Sequence, residues 1–408
     1  MAWEWKTLDQ LGSVSRGRSK HRPRDDESLY GGIYPFIQTA DVKRSNFYIT
    51  EYSQTYNERG LAQSKLWRAG TLCFTIAANI ADSAILGIDA CFPDSIMGFI
   101  PYEGVSDVRF VKYCFDVLQQ QCKQISQGAT QDNLSWEKLS TIKFPAPDYK
   151  TQQKIADILS AYDNLIENNQ KQIKLLEEAA QRIYKQWFID LRFPGHETIP
   201  IIKGLPEGWR NVTLGDVYGK IESGSRPKGG IDSSIREGVV SVGAENVIGL
   251  GQYNYSSEKL VSNEFYENAK RGKIEDRDIL VYKDGAYIGR TSLFQDDFPR
   301  KKMMVNEHVF LVNAKNPTYQ YFLFFTLNRQ EYFDKMQKLN KNSAQPGINR
   351  DALKSLEIIW PADEIVMRFD NFVAPMVQKL FALAKQNYEL SQSRDRLLPK
   401  LMNGEIEV

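Results

Sequence analysis

The chain has 408 residues, 52 Lys and Arg against 51 Asp and Glu, and 42% hydrophobic residues, with 12% aromatic. With only 27 glycines and 16 prolines, this composition excludes collagen-like, low-complexity and disordered chains, and the length suggests two or three globular units, each able to bury a core. No run of about 18 apolar residues occurs, and Met1 to Lys6 lacks the basic-then-apolar order of a signal peptide, so a soluble, cytoplasmic chain with no membrane partner is predicted. The net charge of +1 argues mildly against an isolated nucleic-acid binder, although averaging hides opposed patches.

In chain order, Trp5-Lys-Thr-Leu8 opens a first globular unit. Ser15 to Arg24 follows, carrying Arg16, Arg18, Lys20, Arg22 and Arg24. Such a flexible basic loop suits phosphate contact through counterion release. Alternating β-branched and aromatic residues around Phe36-Ile37 and Gly70-Thr-Leu-Cys-Phe74 predict short strands with Gly-rich turns. Cys73, Cys91, Cys114 and Cys122 form no C-x-x-C pair, and only His21, His196 and His308 could join them, so they read as buried structural thiols. Past Pro147, the residues Ile155, Leu159, Tyr162, Ile166, Asn169, Ile173, Leu176, Ala180, Ile183 and Trp187 step by four and three. That is a heptad seam on a helix of about 35 residues, hence about 50 Å long.

The pattern then recurs. Gln131-Asp-Asn-Leu-Ser135, Leu139, Ile142, Phe144 and Pro147 are answered, 214 residues on, by Gln345-Pro-Gly-Ile-Asn349, Leu353, Leu356, Ile358 and Pro361. The same offset carries the seam to Phe369, Val373, Met376, Leu380, Leu383, Asn387, Leu390, Arg394, Leu397 and Leu401. The front halves repeat more loosely: Trp209 to Leu214 answers Trp5 to Leu8, Val242 to Val247 answers Ile37 to Val42, and Arg277 to Val281 answers Gly70 to Phe74. Further strands are predicted around Tyr282, Tyr287-Ile288 and Val309 to Val312. The fold class is therefore α+β: a mixed α/β unit over 1–150, a helix over 151–188, a linker over 189–208, a second unit over 209–361 and a helix over 362–408.

Neither helix can bury its seam alone, so the two are expected to pair as a coiled-coil spacer. In an antiparallel pair whose contacting residue numbers sum to 556, every seam residue meets another and Asn169 meets Asn387; the competing reading sets the two Asn at separate, wetter layers. A parallel pair leaves each Asn facing an aliphatic side chain, at about 1 to 3 kcal/mol. An antiparallel spacer relates the two units by a pseudo-twofold axis.

Catalytic motifs do not assemble. Asn316-Pro-Thr-Tyr319 resembles an amino-methyltransferase box, but no Gly-rich methyl-donor motif precedes it, and it reads as a turn before an apolar helix. Pro93-Asp94 and Pro147-Asp148 lack the Glu-x-Lys of a nuclease site, and Gly224 to Gly230 has a glycine where a P-loop needs lysine. Nucleic-acid signals are better. Ser225, Arg226 and Lys228 stand where the first unit has its basic loop, and Gln38, Lys43, Arg44, Asn79, Gln131, Lys283, Tyr287, Arg290, Asn342 and Gln345 add groups able to grip phosphates or base edges.

These residues together resemble the specificity subunit of type I restriction-modification systems. The most telling pieces are Gln152-Gln-Lys-Ile-Ala156 after Pro147, Trp187-Phe-Ile-Asp-Leu-Arg-Phe-Pro-Gly195, Gly204-Leu-Pro-Glu-Gly-Trp209 with Leu214-Gly-Asp216, and Lys400-Leu-Met-Asn-Gly-Glu405. Asp363-Glu364 departs from the Gln-rich helix entry of the first half. The resemblance implies two target-recognition domains, each reading half of a bipartite site on double-stranded DNA across a helical ruler. It implies that catalysis belongs to other chains: two methyltransferase subunits using S-adenosylmethionine, into which target adenines are flipped, and restriction subunits using ATP and Mg2+. This chain then holds no cofactor and no metal. Two other readings stay open at this point, a DNA adenine methyltransferase in its own right and a coiled-coil scaffold that does not touch DNA.

Overall fold

The computed structural model describes residues 3–76, 82–125, 136–339 and 347–408. Two compact units emerge: Met1–Glu167 with Glu389–Val408, and Asn168–Tyr388. The chain passes between them inside two long helices, Tyr149–Tyr184 and Asp363–Met402.

In the first unit a five-stranded sheet runs in the order Gly12–Arg16, Ile96–Pro101, Leu72–Thr75, Ser83–Leu86, Tyr48–Ile49. All its pairs are antiparallel except the last. A second sheet orders Gln54–Tyr56, Tyr30–Phe36, Ala90–Cys91 and Leu66–Trp67. The helix Val108–Ile125 lays Phe110, Val111, Cys114 and Phe115 on Leu72, Phe74 and Phe99 of the larger sheet. Glu4–Lys6 pairs antiparallel with Phe144–Ala146, the strand that leads through Pro147 into the first long helix.

The second unit repeats this plan. Its four-stranded sheet orders Tyr218–Ser223, Val309–Ala314, Ile279–Tyr282 and Thr291–Leu293, and a smaller sheet orders Leu260–Val261, Val239–Val242 and Met303–Val305. Arg210–Thr213 pairs with Glu357–Trp360 ahead of the second long helix, as Glu4–Lys6 does with Phe144–Ala146. Local signals repeat as well. The Thr7 amide donates to Gln10 and the Thr213 amide to Asp216, closing the same helical turn after each opening strand. The Gln38 amide donates to Asp41 Oδ2 at 2.8 Å, and the Gly243 amide to Asn246 Oδ1 at 2.9 Å.

The 214-residue offset carries the start of one long helix, Tyr149, onto that of the other, Asp363. Asp363 and Glu364 in that first turn suit the positive end of the helix dipole. Within each unit the helices run antiparallel. In the first, Arg394 pairs with Asp163, while Leu398, Leu401 and Met402 share a core with Ile155 and Leu159. In the second, Asn169 donates to Gln386 at 3.0 Å, and Trp187 packs edge-on against Phe369. Those two polar contacts bracket the expected sum of 556 by one on either side, and the partner seen for Asn169 is Gln386, one position before the Asn387 the seam pointed to.

The apolar stripe of the second helix is wider than a two-stranded seam. Phe369, Val373, Val377, Leu380, Phe381, Leu383 and Ala384 are buried, whereas Met376, Leu390 and Leu397 are half-buried. The cause is a second packing partner: Phe298 lies 5.3 Å from Phe381, and Gly251 sits so close to Leu380 that a Cβ there would come within 2.3 Å. On the first helix Ile155, Leu159, Ile166, Asn169, Ile173 and Ala180 are buried and Leu176 half-buried, and Trp187 is buried in the π-helical turn Lys185–Ile189 that continues it.

One further expectation changes. Tyr287 and Ile288 lie in a turn around Gly285–Tyr287, between strands instead of on one. The segment from Phe193 to Gly208 is a folded connector: Phe193 is buried against Trp209 at 5.3 Å, and Ile201–Ile202 pairs with Leu205–Pro206. Asn316-Pro-Thr-Tyr319 is the turn it was read as, its Asn316 side chain accepting from Thr318 ahead of a fully buried Gln320–Leu327 helix. Cys73, Cys91 and Cys114 are buried free thiols, and burial pushes all three above the ordinary thiol range. The Cys122 side chain lies outside the described residues.

Candidate nucleic-acid interface

The basic segment of the first unit begins where the strand Gly12–Arg16 ends. Arg16, Arg18 and Lys20 are exposed while Gly17 and Ser19 are buried, so alternate residues point the three cations outward. Gly17 is required by close approach, since a Cβ there would lie 2.3 Å from the Pro93 carbonyl oxygen.

This loop is laced down, contrary to its expected flexibility. Gly17 and Arg18 amides donate to the Ile96 and Phe92 carbonyls, and the amides of Lys20 and His21 share Gln63 Oε1 at 2.6 and 3.0 Å. Ser64 Oγ donates to the Arg18 carbonyl, and Arg22 donates to the carbonyls of Ser19 and His21. Hydrogen bonds from Ser28, with His21 beside it, hold the Asp26 carboxyl below its usual range. Asp94, an acid the sequence offers as a counterweight to the basic loop, divides its cations: it takes Arg24 at 2.5 Å and Arg22 at 3.7 Å. Among the described residues, Arg16, Arg18 and Lys20 make no ion pair.

The second unit builds the same corner. Gly224 follows the strand Tyr218–Ser223 as Gly17 follows Gly12–Arg16, and a Cβ on it would lie 1.6 Å from the Val305 carbonyl oxygen. Its amide donates to Asn306. Arg226 pairs with Glu307 at 2.7 Å, so Glu307 stands where Asp94 does. His308 Nδ1 lies 2.7 Å from Asp284 Oδ2, and the Lys283 amide donates to the His308 carbonyl. The strands Tyr218–Ser223 and Ile279–Tyr282 both end beside the start of Val309–Ala314, which brings the half-buried Ser225, Arg226, Lys283 and the turn bearing Tyr287 and Arg290 to one end of the four-stranded sheet, with the exposed Lys228 further along the same loop. Lys283 Nζ sits 5.1 Å from the Phe310 ring and the Arg290 guanidinium 4.0 Å from that of Tyr287. The repeated glycine, visible in sequence at an offset of 207, was the signal that could have located this corner.

Other candidates sit elsewhere. Gln38 donates to Gln54 at 2.5 Å and Arg44 pairs with Asp41 at 2.7 Å, both around the short helix Thr39–Arg44. Lys43 is exposed beside a polar cavity of about 270 Å³. Among the described residues no hydrogen bond or ion pair joins these three to the basic loop. Asn79, Gln131, Asn342 and Gln345 lie outside the described residues. No group of three or more His, Cys, Asp or Glu able to hold a metal occurs among the described residues, and none of their helices is long and apolar enough to cross a membrane.

A duplicated domain with paired helices and a basic corner at each sheet end defines a class, and comparison with known proteins places the chain in it. The model of the type I restriction modification DNA specificity domain matches twice, over residues 2–178 and 206–382, and the chain belongs to that family. The Type I restriction enzyme MjaIX specificity subunit of Methanocaldococcus jannaschii is 26% identical over 414 residues, covering 100% of this chain and 94% of the relative. The HindI specificity subunit of Haemophilus influenzae is 24% identical over 473 residues, covering 99% of this chain and 100% of the relative. The crystal structure of a type I restriction-modification S subunit from M. genitalium superposes with a TM-score of 0.58 at 17% identity, covering 98% of this chain and 96% of that one, and so shares the fold. Both relatives are named specificity subunits, and neither the methyltransferase nor the scaffold reading gains support.

Proposed function

We propose that the chain is the non-catalytic DNA-recognition subunit of a type I restriction-modification complex, each unit reading one half of a bipartite duplex site. The observation that carries this reading is the duplicated basic corner: the same strand, glycine and cationic loop at the same sheet position in both repeats. Phosphate contacts from Arg16, Arg18, Lys20 and Lys228 set the register on the duplex, leaving neighbouring side chains to meet base edges. The +1 net charge fits a subunit that binds DNA weakly alone and shares the task with methyltransferase partners, which would supply S-adenosylmethionine chemistry. Restriction subunits using ATP and Mg2+ would join the same assembly.

The test is charge reversal of Arg16, Arg18 and Lys228 to Glu in the assembled complex. DNA affinity at low salt should fall on the order of a hundredfold and its salt dependence should flatten, while subunit assembly is unchanged. Unaltered affinity would overturn the reading, and so would stoichiometric S-adenosylmethionine binding by the purified chain alone.

A further inference from the structure

Within the second unit, one turn is built differently from the cationic loop beside it. Between the strands Ile279–Tyr282 and Thr291–Leu293 the chain turns through Gly285 and Gly289, both in the left-handed region at φ 72° and 90°. Ile288 is fully buried, its carbonyl accepts from Gln337 at 2.8 Å, and the Gly289 amide donates to Tyr282. The turn is thus fastened to the helix Gln330–Lys338 and to its own strand. At its tip Tyr287 is 55% exposed, the most exposed aromatic ring among the described residues of this unit. The Arg290 guanidinium lies over that ring at 4.0 Å, a cation–π stack.

Arg290 differs from its cationic neighbours. Arg226 is taken by Glu307, and Lys283 leans on Phe310. Among the described residues no carboxylate or hydrogen-bond acceptor engages the Arg290 guanidinium. Stacking fixes the plane of the fork and leaves its hydrogen-bonding edge open, so much of the conformational cost of a paired contact is met before binding. An exposed lysine such as Lys228 suits a phosphate; a planar fork held in one orientation on a fastened turn suits the O6 and N7 acceptors of guanine in the major groove.

We infer that Arg290, oriented by Tyr287, is a specificity-determining residue of the second unit and reads a guanine in its half-site. This rests on the DNA-recognition reading above. The experiment uses the full chain with its methyltransferase partner in a host without other adenine methylation, mapping modified adenines genome-wide. For Arg290→Ala, one position in one half of the motif should lose its preference for guanine by roughly ten- to one-hundredfold, the other half being unchanged. Tyr287→Phe should keep the motif, and Tyr287→Ala should relax the same position as Arg290→Ala. Lys228→Ala should lower methylation evenly without altering the motif. If Arg290→Ala abolishes methylation, competition binding of the purified complex with duplexes varied at each motif position takes its place, with the same single-position loss expected. An unaltered sequence preference in Arg290→Ala, by either readout, overturns the inference. A wild-type complex with no sequence preference at all would instead sink the DNA-recognition reading itself.

Discussion

Arg394 interrupts the apolar stripe of the second long helix, and it meets Asp163, which is only 3% exposed and also accepts from Tyr113 Oη at 2.6 Å. A carboxylate that far out of water needs its partners, because removing one leaves a buried charge uncompensated. Arg394→Ala is expected to destabilise the first unit by about 3 to 5 kcal/mol, whereas Tyr113→Phe should cost about 1 to 2 kcal/mol. Chemical denaturation of the full chain, followed by a probe in this unit, checks both, and an Arg394→Ala midpoint equal to wild type would refute the argument. The sequence displayed Arg394 as an exception in the seam but hid its partner. Asp163 is not a seam residue, and only the burial that the domain wall provides around Tyr113 makes it one side of an ion pair. The same limit applies to Asp94 and Glu307, acids distant in sequence whose pairing with the basic loops depends on how the strands return.

The elements were most legible where periodicity and offset acted together. Pro147 and Pro361 set the entries to both long helices, and the 214-residue step reproduces their starts at Tyr149 and Asp363. Short strands were read less well, since Tyr287 and Ile288 carry strand-like chemistry yet occupy a turn that two glycines impose. The helix seam was read as serving one partner and in fact serves two. That difference can be tested within a single turn: Val377 is 1% exposed, while Met376, the heptad position, is half-buried. Val377→Asp buries an unpaired carboxylate and should unfold the second unit, at a cost of several kcal/mol. Met376→Asp can turn its charge to water and should keep the cooperative thermal transition. Equal loss of the transition in both variants would restore the simple two-stranded seam.

At the scale of the whole chain, both crossings between the units fall inside helices, near Glu167 and near Tyr388. Adding seven residues at each crossing preserves the apolar period on both helices, so seam contacts such as Asp163 with Arg394 and Asn169 with Gln386 can form as before. Each helix then lengthens by about 10.5 Å at 1.5 Å per residue, equal to about three base-pair steps of 3.4 Å. If the helices act as a ruler between two readers, the methylation motif of the matched double insertion should retain both halves and gain about three unread positions between them. The bases read depend on loops that the insertion does not touch, whereas the spacing depends on the helices alone. Sequencing methylated adenines decides the matter: a motif with unchanged spacing, at wild-type methylation levels, would show that helix length does not set the gap.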